Sequence, residues 1–192
     1  MTDDQFLVLN CIYLRKIVTA AAIGDSTALP GTAVEGALSA ATEDGSVLDV
    51  GDGQYMLSEE GTQQVLGEYR RRYATERQDP FFADWYDRFE VLNGQFLAGI
   101  SAWQQGGDSN QLDRLLRLVE RQIKALDGIS VRVARYGTYR DRFERALERV
   151  DEGQSEYVVS PSVDSIHNIW FEFHEDILTL LGRPRDVAEA QA

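Results

Sequence analysis

Ser46-Val47-Leu48-Asp49-Val50-Gly51-Asp52-Gly53-Gln54-Tyr55-Met56-Leu57-Ser58 decides how the first third of the chain is read. Two short apolar runs, 47–50 and 54–57, flank Gly51-Asp52-Gly53, and a Gly/Asp turn between such runs predicts a β-hairpin. Ser58 is a good helix N-cap, and Glu59 and Glu60 then sit near the positive end of the helix dipole. A helix is therefore predicted from there through Val65, Leu66 and Tyr69. Working back from the hairpin, Pro30 is suited to an early helical position, where its missing N–H costs nothing. Val34, Leu38 and Ala41 then share one helical face, and Glu43-Asp44-Gly45 supplies the stop.

Further upstream, Phe6, Leu7, Leu9, Asn10 and Tyr13 have helical spacing, and 18–23 reads as a second short, Ala-rich helix before the break at Gly24-Asp25-Ser26-Thr27. Three helices, a hairpin and a closing helix are the order of a winged-helix module, predicted over residues 1–78. Arg70-Arg71-Arg72 ends its last helix, and Pro80 marks the boundary. Beyond it, Trp85, Phe89, Leu92, Phe96, Ile100 and Trp103 form one broad apolar stripe. Leu112, Leu115, Leu116, Val119, Ile123 and Leu126 form a second, and Val133, Tyr136, Tyr139, Phe143, Leu147 and Val150 a third. Val163, Ile166, Trp170, Phe173, Ile177, Leu180 and Leu181 form a fourth, closed by Gly182 and Pro184. The fold class expected is mainly α: a winged-helix-like module followed by an antiparallel bundle of about four helices over 79–185. The tail, 186–192, is expected to be disordered.

At 192 residues and 43% hydrophobic the chain can bury a core without staples. The lone Cys11, among apolar neighbours, reads as a small core residue. An acidic start, Met1-Thr2-Asp3-Asp4, and the lack of a long apolar run lead to the expectation of a cytoplasmic protein that does not enter membranes.

Charge tests the obvious role of a winged helix. The net charge is −13, and residues 1–60 hold ten carboxylates against only Arg15 and Lys16. The segment 31–44, where a recognition helix would lie, has no Lys or Arg, and the wing at Asp49-Val50-Gly51-Asp52-Gly53 is acidic. Base readout and phosphate contact both call for cations or amides at those places. DNA is therefore not the expected partner. In the alternative reading, a transcriptional regulator, Arg15, Lys16, Arg70, Arg71 and Arg72 would lie on phosphates, with a small aromatic ligand between the helices.

Both histidines lie in Asp164-Ser165-Ile166-His167-Asn168-Ile169-Trp170-Phe171-Glu172-Phe173-His174-Glu175-Asp176. Asp164 and His167 have the i, i+3 spacing of carboxylate-bridged di-metal bundles, but such sites need a second pair and further inward-facing acids. His167 and His174 are two turns apart, roughly 10 Å, too far to share a metal without a ligand between them. Structural hydrogen bonding at a helix seam is the simpler reading for both. No nucleophile elbow or phosphate-cradling glycine loop is present, so no catalytic residue, metal or cofactor is expected. Arg132, Arg135, Arg140, Arg142, Arg145 and Arg149 alternate with Asp141, Glu144, Glu148 and Glu152, the pattern of a solvated, salt-paired face.

Phe89-Glu90-Val91-Leu92-Asn93 with Phe96 and Trp103-Gln104, then Ala146-Leu147-Glu148-Arg149-Val150 and the 164–176 stretch, resemble an actinobacterial winged-helix family of uncharacterised function. Its members are described as MarR-like regulators or occur as a segment of pyruvate, phosphate dikinase and related PEP-utilising phosphotransferases. The chain departs from that pattern at Ile166, where Tyr is typical, and at Phe173, where Leu is. Neither histidine has the Thr-Gly-Gly context of the histidine that such enzymes phosphorylate. The resemblance thus implies a non-catalytic accessory or regulatory subunit beside a dikinase-like phosphotransferase. The contact surface expected is the acidic face of the module with Asp164, His167, Glu172 and Glu175. Homodimerisation is expected only by analogy with winged-helix regulators.

Overall fold

The computed structural model of the chain describes residues 1–183. Those residues form two compact units, Met1–Gln78 with Leu178–Arg183, and Asp79–Ile177. The tail expected at 186–192 lies outside the described residues.

The first unit opens with α1 (Asp3–Arg15), set by a reciprocal cap in which the Gln5 N–H donates to the Thr2 hydroxyl and the Thr2 N–H to the side-chain Oε1 of Gln5. Phe6, Val8, Leu9 and Ile12 form its buried face. Lys16, at φ 70°, ends the helix in a conformation unfavourable for a side-chain-bearing residue. Residues 18 and 19 depart from the short helix expected over 18–23, while 20–23 are helical as expected. Ile17–Thr19 is strand β1, and α2 (Ala20–Thr27) begins only after Thr19 caps it. Three consecutive β-branched residues favour extended backbone, and pairing to a strand far along the chain holds them there.

That strand is β3 (Gln54–Leu57), which also pairs with β2 (Val47–Gly51), giving an antiparallel sheet of order β1-β3-β2. The turn carries positive φ at Gly51, Asp52 and Gly53. Before the hairpin, α3 (Gly31–Glu43) buries Val34, Ala37, Leu38 and Ala41. After it comes α4 (Glu59–Arg72), capped by Ser58. The module is thus winged-helix-like. Its helices and hairpin follow the expected order, and β1 adds a third strand. Tyr69 of α4 donates a 2.7 Å hydrogen bond to buried Asn10 of α1, satisfying a polar group inside the core. Arg77 donates to the carbonyls of Leu180 and Thr179 in the last turn of a helix, where carbonyls lack i+4 partners within the helix.

The second unit is helical. Asp79 caps α5 (Pro80–Gln104), and Asp108 caps α6 (Ser109–Ser130) through a reciprocal bond with Gln111. Then follow α7 (Gly137–Asp151), the short α8 (Glu156–Val159), which lies between the third and fourth expected stripes, and α9 (Ile166–Leu181). Of the expected stripe on α5, Trp85, Phe89, Leu92, Phe96 and Ile100 are buried, and Trp103 near the helix end is half-buried. Trp170 stacks on Phe96 with centroids 3.8 Å apart, and Phe173 meets Trp85, Phe89, Tyr136 and Tyr139 edge-on. Such arrangements suit the quadrupoles of the rings. The indole N–H of Trp170 donates to Asn93 at 2.9 Å, so the polar edge of the largest core residue is satisfied.

Candidate functional site

Three places in the chain concentrate chemistry: the polar interior of the bundle, the surface of the module, and a groove along α6. In the bundle, Arg142 is only 3% exposed. Its Nε and Nη2 donate to the two oxygens of Asp164 at 2.9 and 2.7 Å, and Nη2 also donates to Glu172 at 2.7 Å. Burial alone would lower the pKa of this guanidinium, but Glu172 and Asp164 outweigh it and hold it above its ordinary value. It is a permanent cation.

Asp176, with no exposed surface, accepts from both Nη atoms of Arg135 and from the hydroxyls of Tyr136 (3.2 Å) and Tyr139 (2.9 Å). Burial, followed by the carboxylates of Asp176 and Glu172, pushes the Tyr139 phenol well above its ordinary value, so it stays a donor. His174 is also buried, with Nε2 3.1 Å from the Tyr86 hydroxyl and 3.2 Å from Glu90 Oε1. The charges of Arg135, Arg142, Asp164, Glu172 and Asp176 each meet a complementary group, and a buried network of this kind fixes how helices pack. It offers no activated nucleophile. Among the described residues no three His, Cys, Asp or Glu side chains form a group that could hold a metal ion.

This arrangement corrects one expectation. The arginines of 132–149 are not uniformly a solvated face. Arg132, Arg140 and Arg149 pair with carboxylates while remaining partly exposed, whereas Arg135 and Arg142 turn inward. Asp164, His167, Glu172 and Glu175, the expected contact residues, are each half-buried. Asp164 and Glu172 are engaged by Arg142. His167 is half-buried with its ring 4.6 Å from that of Phe171, its pKa lowered by burial, and Glu175 is half-buried.

On the module, the exposed side of α3 carries Thr32, Glu35, Gly36, Ser39 and Glu43 and no cation. Between α3 and the sheet lies a groove of about 330 Å³ whose charged lining is Glu35, Glu43 and Asp49. A phosphate backbone would meet three carboxylates there. The cations of the regulator reading lie elsewhere. Lys16 stands over the Tyr13 ring, Arg71 and Arg72 pair with Glu68, and Arg72 also holds Asp3 and the carbonyls of Met1 and Thr2. Arg15 is half-buried on α1, and Arg70 is exposed at the end of α4.

The sequence reading missed a feature of the sheet. Ile17, Met56 and Leu48 are register partners across β1, β3 and β2, so their side chains form one row on one face. Ile17 is 53% and Leu48 45% exposed, and Val50 beside them is 44% exposed. The apolar alternation of the hairpin was the available signal; without β1 the row had no third member.

Fold and surface together define a winged-helix-like module joined to a helical bundle. Comparison with family models, curated proteins and solved structures finds no match to this chain. Among the described residues no helix is long and apolar enough to cross a membrane.

Proposed function

We propose that the chain is a non-catalytic accessory or regulatory protein that works by protein–protein contact through its winged-helix-like module. The apolar row Ile17–Met56–Leu48, in which Ile17 and Leu48 are exposed on either side of half-buried Met56, carries this reading. Exposed apolar side chains gathered in one place mark contact surfaces more often than isolated ones do. The acidic α3 and wing repel nucleic acid at the places where a DNA-binding winged helix makes its contacts. A dikinase-like, PEP-utilising phosphotransferase is the first partner to try, on the strength of the family resemblance alone.

The test is a tagged capture from the native host at gentle salt, with mass spectrometry for proteins and sequencing for co-purified DNA. Stoichiometric recovery of a protein partner, abolished by Ile17→Thr with Leu48→Thr, is the expected result. Both changes sit on solvent-facing strand positions and should alter stability by no more than about 0.5 kcal/mol. Recovery of a specific DNA site without a protein partner would replace this reading with that of a MarR-like regulator.

A further inference from the structure

Along α6, Arg114, Arg117 and Arg121 recur at i, i+3 and i+7, which puts three guanidiniums on one stripe of the helix. They line a groove of about 520 Å³ between α5 and α6, within the size range of small-molecule sites. Its apolar walls are Gly99 and Ala102 of α5 and Leu115 and Leu118 of α6, and no carboxylate lines it. A Cβ on Gly99 would come 3.2 Å from Leu115, so the missing side chain is part of what lets the helices approach while a channel stays open above them.

The charge of this groove runs against the rest of the chain. The net charge is −13, and elsewhere in the bundle Arg132, Arg135, Arg140, Arg142 and Arg149 each meet a carboxylate. Among the described residues Arg114 and Arg117 meet none, and Arg121 donates only to the amide oxygen of Gln95, at 3.2 Å. Like charges at these spacings repel by a few tenths of a kcal/mol per pair. On the groove side these guanidiniums face no carboxylate, although Asp113 and Glu120 stand at i−4 and i+3 from Arg117 on the same helix.

We infer that the α5–α6 groove binds a small amphipathic carboxylate, its apolar body between Gly99, Ala102, Leu115 and Leu118 and its head group on the arginine rim. Guanidinium forks match the carboxylate plane and can engage it with two hydrogen bonds. The lining of α6 runs from Gln111 to Arg121, about 15 Å of helix, so the ligand is elongated rather than a compact ring acid. The site lies wholly within the bundle and is independent of the module surface proposed above.

Decanoate is the probe, titrated calorimetrically into the full chain, with acetate as the head group alone and decylammonium as the chain with its charge reversed. Saturable one-to-one binding of decanoate is expected, with neither control competing. Arg117→Gln with Arg121→Gln, both at exposed positions that keep helix propensity, should weaken it about tenfold or more, since a charged hydrogen bond is lost at each site. Ala102→Trp should block it by filling the channel; if that variant unfolds, the arginine pair still decides. Decanoate binding that is absent, unchanged by the arginine substitutions, or matched by decylammonium would overturn the inference. So would cross-links placing an acidic helix of a partner protein on Arg114 and Arg117 when decanoate does not bind.

Discussion

The two grooves of this chain carry opposite charge, and the units that hold them treat charge differently. In the module the carboxylates of α3 and the wing face solvent around an apolar floor, and no cation lines that groove. In the bundle, Asp164, Glu172 and Asp176 are engaged by arginines inside the fold, while other arginines rim a second groove free of acids. Net charge describes neither. A composition of −13 argued correctly about the α3 surface but concealed both the inward-turned cations of α7 and the basic stripe of α6. What a surface will bind depends on which charges the fold consumes internally, and that is decided by packing.

The largest effect that could break this comparison is at Asp176. If internal ion pairs hold the bundle, Asp176→Ala leaves Arg135 and two buried tyrosine hydroxyls without their shared acceptor. Loss of one partner of a buried pair costs about 3–5 kcal/mol. Trp85, Trp103 and Trp170 all belong to the bundle, so denaturation followed by tryptophan fluorescence reads this unit selectively. A shift equivalent to less than about 1 kcal/mol, within the range of an ordinary hydrogen bond, would mean that the network is dispensable and the aromatic core alone holds the helices.

The counterpart in the module is a contact of backbone with backbone. A Cβ on Gly61, in the first turn of α4, would lie 2.0 Å from the Ser46 carbonyl oxygen, which already accepts from the N–H and hydroxyl of Ser58. Gly61→Ala must push α4 away from the start of the hairpin, at a cost of about 1–3 kcal/mol or more. Gly36 on α3 has open space where its Cβ would be, so Gly36→Ala should stabilise the module by about 0.5–1 kcal/mol through helix propensity. Circular dichroism melts of the pair should move in opposite directions. Movement in the same direction would show that the close approach at Ser46 is not what fixes α4.

Much of this architecture was legible in the sequence because its signals are local. The stripe from Trp85 to Ile100, the Ser58 cap and the Gly-rich turn at 51–53 each declare themselves within a few residues. Strand β1 did not: three residues carry no periodicity, and their extended state depends on β3, more than thirty positions away. Arg135 and Arg142 were hidden for a related reason. Their neighbours Asp141, Glu144 and Glu148 offer plausible partners at helical spacing, yet the partners in the fold come from Asp164, Glu172 and Asp176, brought close only by packing. The spacing of Arg114, Arg117 and Arg121 was visible from the start; that no carboxylate meets them became visible only in three dimensions.

The smallest effect concerns a cluster in the module where two cations share a carboxylate. Glu68 accepts from Arg71 at 2.6 and 3.1 Å and from Arg72 at 2.7 Å. The hydrogen bond from Arg71, opposed by some burial and reinforced by Arg72, lowers its pKa from 4.5 to about 2. A carboxylate whose folded pKa is depressed contributes stability that is complete above about 4.5 and is lost as pH falls towards about 2. Solvent screening limits this surface cluster to about 0.2–1 kcal/mol. Glu68→Gln should therefore be slightly less stable than the parent chain at neutral pH, and the two melting curves should converge near pH 2, below which neither chain carries that charge. A gap that persists unchanged into acid would mean that Glu68 acts by shape rather than charge, and that Arg72 holds α4 through Asp3 and the carbonyls of Met1 and Thr2 instead.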